Sequence, residues 1–304
     1  MHGLRLRSEV WLPIPESTAG PVDVQYQVAL TTDEMSAARH TRTNDPDDPW
    51  CFEHWVGEHV IVEFPGWATF ELDRDLVTLR RDNTDDGDLI AHLLLDHVLP
   101  RVVALRGDLM LHASGVVGPS GMAHLFIGPS GAGKSTLATA LAAAGWPLLD
   151  DDGIRVVDCD GVWHAVPGYA GVRLLPDSAQ AVVPHLIAER PMSRDHAKHR
   201  YPVDGTSLRI ATAPVPIGRI HLLERAENID ASSSTMVNFA SGIIALIEHA
   251  FHLADEPAAN TRRAFEQAAD VAEVIPLHRF CTPTGLDSLN ATLAELDRLD
   301  DELS

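Results

Sequence analysis

Lysine is almost absent from this chain. Lys134 and Lys198 are the only two in 304 residues, and every other side chain in the Lys+Arg total of 23 is arginine. Acids outnumber these bases, with 44 Asp and Glu and a formal net charge of −21. Such a charge argues against nucleic acid or an anionic membrane as partner, because both are polyanions. Cysteine is scarce too. Cys51, Cys159 and Cys281 are far apart and odd in number, so no disulfide framework is expected and reduced thiols point to a cytoplasmic protein. No apolar run is long enough to span a bilayer, and the first ten residues, MHGLRLRSEV, carry no apolar signal-peptide core; neither membrane insertion nor secretion is expected. Repeats and low-complexity tracts are also missing. What remains is a 45% hydrophobic chain, long enough for two domains with sizeable cores.

The rest of the chain is organised around Gly128-Pro129-Ser130-Gly131-Ala132-Gly133-Lys134-Ser135-Thr136. This stretch fits the phosphate-loop pattern G-x-x-x-x-G-K-[ST] at every fixed position. Its surroundings fit as well. Met122–Ile127 is an apolar run of strand character, and Thr136–Ala144 (TLATALAAA) is rich in helix formers. Gly145 follows as a helix C-cap. Strand, glycine loop and helix together aim backbone N–H groups and a helix N-terminus at phosphate oxygens. Lys134 is expected to reach the β- and γ-phosphates and Ser135 to ligate Mg²⁺, so ATP and Mg²⁺ are the expected cofactors.

Residues 1–105 read as a smaller α+β domain, and residues 106–304 as a P-loop catalytic domain. In the first, Val22–Val28 alternates with period two, and 59–64, 66–72 and 76–79 read as further strands. Thr41–Pro49 (TRTNDPDDP) reads as a turn-rich loop. Asp88–Leu105 reads as a helix that Pro100 kinks or splits. Four tryptophans, Trp11, Trp50, Trp55 and Trp67, read as core. With no recognisable chemistry, this domain is expected to recognise substrate or act as scaffold.

In the second domain Leu109–Val117 reads as one apolar strand, turned at Gly118–Gly121 straight into the P-loop strand. After the P-loop helix, Pro147-Leu148-Leu149 leads to Asp150-Asp151-Asp152. If that strand returns beside the P-loop strand, these carboxylates come close to a γ-phosphate; otherwise they form a solvated acidic turn. Strands at 154–157 and 162–166 and the glycine-bearing turn Pro167–Pro176 follow. Residues 189–209 form a basic island containing Arg190, Arg194, Lys198, Arg200 and Arg209. With so few lysines, Lys198 is either a second cation for phosphate or a lone surface lysine. Arg219–Leu223 and Val274–Phe280 read as strands, and 241–254, 258–271 and 286–299 as helices. The pairs His196/His199 and His249/His252 have helical spacing but no third ligand, so they read as chance.

The pattern resembles the HPr kinase/phosphorylase family and its divergent kinase relatives. The residues that carry the resemblance are Leu111-His112 before the loop, the loop itself, and Asp151-Asp152 sixteen and seventeen residues after Ser135. The later segments 167–176 and 198–200 are similar to those of divergent relatives in peptide-modification systems. The resemblance implies an α/β fold of the HPr kinase/phosphoenolpyruvate carboxykinase type with a mixed sheet. It implies transfer of a phosphoryl group from ATP to a serine hydroxyl of a peptide or small protein. By position, Asp151 is the general base and Asp152 assists it or Mg²⁺. His112 lies by the phosphates or the acceptor; from the residues alone, it reads rather as a hydrogen-bonded strand histidine. Lys198 and Arg200 are transition-state cations on a closing loop. The family implies a homo-oligomer, but the segment its bifunctional members use for subunit contact and phosphorolysis is not recognisable here. HPr itself is therefore not the expected acceptor.

Two other readings stay open. A metabolite-hydroxyl kinase shares the loop spelling, although guanylate-kinase-like enzymes begin near their P-loop and here 127 residues precede it. A P-loop ATPase or nucleotide-binding module also shares it, but neither an LSGGQ-like segment nor an apolar run closing on Asp-Glu is found.

Overall fold

A computed structural model of the chain describes residues 1–10, 12, 21–30, 51–56, 59–84, 86–169, 171–188, 198–203, 207–227, 229–253 and 258–304. Two compact units emerge. One comprises Met1, Gly3–Asp108 and Phe251–Arg263; the other comprises His2, Leu109–Ala250 and Ala264–Ser304. The architecture is a mixed-sheet α/β fold with a smaller additional unit. The loop expected at Thr41–Pro49 lies outside the described residues.

The first unit is built on strands β1 (Leu6–Ser8), β2 (Val24–Val28), β3 (Phe52–Val56), β4 (His59–Phe64), β5 (Ala68–Leu72) and β6 (Leu76–Asp82). They form one sheet in the order β1-β2-β6-β5-β4-β3. β3 to β6 are an antiparallel meander, while β1, β2 and β6 run parallel. Alternation selects the buried face: Val60, Val62 and Phe64 on β4 and Phe70 and Leu72 on β5 are all sealed from water. Helix α1 (Gly87–His92) starts at Asp86, whose carboxylate accepts the amides of Asp88 and Leu89. The expected break at Pro100 is instead a widening. Leu93–Val98 forms a π-helical turn that passes directly into α2 (Leu99–Leu105). Pro100 sits in the first turn of α2. It has no N–H for the carbonyl of Asp96 and its ring crowds that carbonyl, so the preceding turn opens and the helix continues.

The second unit holds β7 (Leu109–Leu111), β8 (Ser114–Val117), β9 (Ala123–Ile127), α3 (Lys134–Ala143), β10 (Leu148–Asp150), β11 (Ile154–Cys159), β12 (Val162–Val166), β13 (Gly171–Leu174), α4 (Pro176–Val182) and β14 (His199–Pro202). β15 (Val215–Ala226), β16 (Ser233–Met236), α5 (Phe239–Glu248), α6 (Ala258–Val274), β17 (Leu277–Pro283) and α7 (Leu289–Asp301) complete it, with α6 beginning in the first unit. The long β15 organises the sheet. Its first residues pair with β12, and the rest lies parallel to both β9 and β17. β8 and β9 form an antiparallel hairpin leading into the phosphate loop.

Two expectations are corrected here, and one placement left open is decided. Leu109–Val117 is not one strand. It breaks at His112 and Ala113, because the His112 amide turns aside to the carbonyl of His249 at 2.7 Å. β7 then pairs with β11, and β8 with β9 and β10. The strand after the P-loop helix is not beside the P-loop strand: β10 pairs with β8, one position further out. The helix expected over 241–254 ends at Glu248, with His249 as its cap.

Helix α3 ends as its sequence dictates. Gly145 takes φ +107°, its N–H bonds to Ala142, and the Trp146 N–H bonds to Leu141; this is the paired terminal arrangement that satisfies the last carbonyls. Leu137, Ala138 and Leu141 of α3 pack with Phe126, Phe280 and Leu296 in one core. Within it, the Asp300 carboxylate accepts from His124 Nε2 at 3.0 Å and from the Ser120 amide at 2.8 Å. His221 stacks on His124 behind them. This chain fastens α7 to the P-loop strand, and it needs Gly118, where a Cβ would lie 2.0 Å from Asp300 Oδ1.

Candidate functional site

The site lies where β9 ends and α3 begins. Between them the backbone turns through Gly128 (φ +144°), Gly131 (φ +80°) and Gly133 (φ +102°), conformations that side chains disfavour. A Cβ at Gly128 would also lie 2.8 Å from the carbonyl oxygen of Leu223, so the loop packs directly on β15. The loop is tied within itself and to its neighbours. The Ala132 amide bonds to Pro129, Arg225 Nε donates to the Ala132 carbonyl at 3.3 Å, and Thr136 Oγ1 lies 3.4 Å from Ser178 Oγ. Lys134 is buried and folds its ammonium back over the loop, donating to the carbonyls of Gly128 at 2.7 Å and Pro129 at 3.2 Å. Burial lowers its pKa to about 8, against the pull of Asp152 and Asp151.

The aspartates expected at this site are close to the loop. Ser135 lies close enough to the Asp151 carboxylate to oppose the rise in its pKa. Asp151 is buried, and its other contacts are fixed. The Arg173 amide donates to Oδ2 at 2.6 Å and the Ser114 hydroxyl lies 3.0 Å from Oδ1. Burial, and secondarily the charge of Asp152, raise the Asp151 pKa to about 7. Asp152 is more exposed. Its Oδ2 accepts from Arg173 Nη1 at 2.9 Å, and its Oδ1 is 3.5 Å from His112 Nδ1. His112 sits in the break between β7 and β8 rather than on a strand, with Nδ1 also 3.1 Å from the Asp152 carbonyl. Burial holds its pKa down, opposed by Asp152.

The two later cations divide. Lys198 is exposed immediately before β14, and its charge is felt at Asp151, Lys134 and His112. Arg200 stands on strand β14, buried, with its guanidinium 5.2 Å from the centre of the Tyr169 ring. Arg190, Arg194 and the rest of 189–197 lie outside the described residues.

Arg173 and Ser114 were not singled out by sequence, and His249 was noticed only as half of a histidine pair read as chance. Arg173 holds both carboxylates at once, one through its backbone and one through its side chain. It lies opposite Arg200 in the β13–β14 ladder. Burial first, then Arg200, lower its pKa to about 9. His249 caps α5; burial, then Lys134 and His112, bring its pKa to about 4. No local pattern marks these residues, because each enters through long-range pairing.

A small open cleft with a volume of about 40 Å³ lies beside the loop. Gly133 and Thr136 line it on one side, Arg225 and Thr282 at the ends of β15 and β17 on another, and Leu289 and Thr292 of α7 on a third. The donor set suits a hard cation only in part. Ser135 and Asp152 offer oxygens, the ligand type that Mg²⁺ prefers. Among the described residues no group of three or more His, Cys, Asp or Glu is placed to hold a metal, so nucleotide phosphate and water would have to supply the remaining ligands. Among the described residues, no helix is long and apolar enough to cross a membrane.

No family model matches the chain, and no curated protein matches it. Among solved structures, it is similar to the Hpr(Ser) kinase/phosphatase from Coxiella burnetii, with 15% sequence identity and a TM-score of 0.33. The match covers 64% of this chain and 98% of that one. The likeness is remote and supports no conclusion about reaction or substrate.

Proposed function

We propose that the second unit is an ATP- and Mg²⁺-dependent kinase that phosphorylates a serine hydroxyl of a peptide or small protein. One observation carries the reading: the buried Asp151 carboxylate, held by Ser114 and the Arg173 amide, lies beside the phosphate loop, within electrostatic reach of Lys134 and Ser135. A phosphate loop alone binds nucleotide. A poised base beside it supplies what transfer to a hydroxyl needs.

In this reading Gly128–Thr136 cradle the triphosphate, and Lys134 moves from the loop carbonyls to the β- and γ-phosphates. Mg²⁺, held by Ser135 and Asp152, would offset phosphate charge. Asp151 takes the proton of the acceptor hydroxyl. As the new oxygen–phosphorus bond forms, the bond from the γ-phosphorus to the bridging oxygen breaks and ADP leaves. Arg173 fixes both aspartates, and Lys198 and Arg200 bring positive charge towards the migrating group. The first domain, residues 1–105, is assigned to acceptor recognition or scaffolding.

The test is phosphate transfer from γ-labelled ATP to serine peptides, read by intact mass. A gain of one phosphate supports the reading. ADP formed only with a small hydroxyl compound moves the assignment to a metabolite kinase. ADP formed without any acceptor leaves an ATPase.

A further inference from the structure

The acidic triplet has three members, and the proposed chemistry uses only the last two. Asp150 is the final residue of β10, where the pairing with β8 becomes irregular. Strand pairing stops supplying acceptors at this point, yet Asp151 is buried, and a buried amide needs a partner. Asp150 provides it. Its Oδ1 accepts the Asp151 amide at 2.6 Å and lies 3.4 Å from the Asp152 amide. The carboxyl itself is sealed, with the residue 1% exposed. It does not open towards the phosphate loop.

The other oxygen shows how the chain makes room for this group. Asp150 Oδ2 is buried, with no hydrogen-bond partner among the described residues. A Cβ placed on Gly168 would lie 1.3 Å from it, so no residue but glycine fits at 168. The Gly168 amide bonds to the Leu149 carbonyl at 3.2 Å, which holds that glycine against the strand end. The other polar group near Oδ2 is His2 Nδ1 at 3.8 Å, beyond hydrogen-bond range. The carboxyl thus fills an internal slot and ties down the backbone from which Asp151 and Asp152 project. Ser114 and Arg173 then fix the two side chains from outside.

We propose that Asp150 is a positioning residue: its buried carboxyl, in the space left by Gly168, holds the backbone of the Asp151–Asp152 pair and is not a third carboxylate presented to nucleotide or metal. Its effect on turnover rests on the kinase reading; its effect on the backbone does not.

The test uses the full-length protein with Asp150→Asn and Asp150→Ala. Asparagine keeps the Oδ1 acceptor in the same shape. Asp150→Asn is expected to keep kcat within about 3-fold of wild type, and Asp150→Ala to lose about 30-fold or more in kcat with nucleotide Kd within about 2-fold, since small misplacement of a reacting group is costly. Hydrogen exchange at the Asp151 amide gives the independent readout. It should stay slow in wild type and Asp150→Asn and speed up by about 10-fold or more in Asp150→Ala. Loss of turnover in Asp150→Asn equal to that in Asp150→Ala overturns the proposal, because charge rather than placement is then required. Full turnover and full amide protection in Asp150→Ala also overturn it. If Asp150→Ala does not fold, turnover and amide protection in Asp150→Asn decide alone. If wild type transfers no phosphate while amide protection still follows the Asp150 oxygen, the kinase reading fails and the positioning role stands.

Discussion

The two units treat buried charge differently. In the first, buried charges meet their opposites. Arg101 donates to Glu53 at 2.6 Å, and His92 lies 2.7 Å from Asp96. In the second, such pairs occur too, as between His124 and Asp300, but beside the phosphate loop like charges also crowd together. Three aspartates are consecutive, Arg173 faces Arg200 across a strand pair, and Lys198 acts on Lys134. There Lys134, Asp151 and Arg173 are each displaced from the ordinary pKa, chiefly by burial. Paired charges keep a fold specific; displaced ones keep groups ready for proton transfer or anion binding, and they concentrate at functional sites. The contrast is the reason for assigning chemistry to the second unit.

The sharpest way to break the contrast is at Lys134. Lys134→Ala should reduce phosphate transfer by about 10³-fold or more, because the charge opposing the developing phosphate charge is lost. Single-turnover assays would show it, and a small effect would place the chemistry elsewhere. In the first unit the corresponding change acts on stability. Arg101→Met leaves Glu53 buried without its ion partner and should cost about 3–5 kcal/mol in denaturant unfolding. Transfer by the molecules that stay folded should be unchanged.

The third prediction uses pH. Burial raises Asp151 to about 7. A base must be ionised to accept a proton, so kcat/KM should be full above that value and fall as pH drops through it. At two pH units below, the loss should be about 100-fold. A profile flat from pH 5 to 8 would remove Asp151 as the base. The smallest expected effect lies away from the site. Asn238 caps α5 by accepting the Ser241 amide at 3.0 Å. Asn238→Ala should cost about 1 kcal/mol in thermal or denaturant unfolding and leave the pH profile in place.

What was legible in the sequence was local. The glycine loop is a contiguous pattern because positive φ, a helix start and a lysine must follow one another to cradle phosphate. The end of α3 was legible for the same reason, since Gly145 is a cap that only short-range geometry requires. Asp151 and Asp152 were legible through their spacing from the loop, although whether the strand that carries them lies beside β9 was left open. Arg173 could not be seen. Its value depends on the register of β13 against β14 and on the approach of β13 to Asp151. His112 was noticed but set on a strand, because nothing in LMLHASGVV reveals that its amide is claimed by His249, 137 positions later. Asp150 reads as one more acid until Gly168 is seen to be the space into which it fits.

The most direct test of the account is Asp151→Asn, measured for transfer and for nucleotide binding in parallel. The amide keeps the shape and the contacts to Ser114 and Arg173 but cannot take a proton. Transfer should fall by about 10²- to 10⁴-fold while nucleotide Kd stays within about 3-fold. Transfer near the wild-type rate in Asp151→Asn would contradict the assignment of Asp151 as the base and, with it, the reason for reading this phosphate loop as that of a kinase.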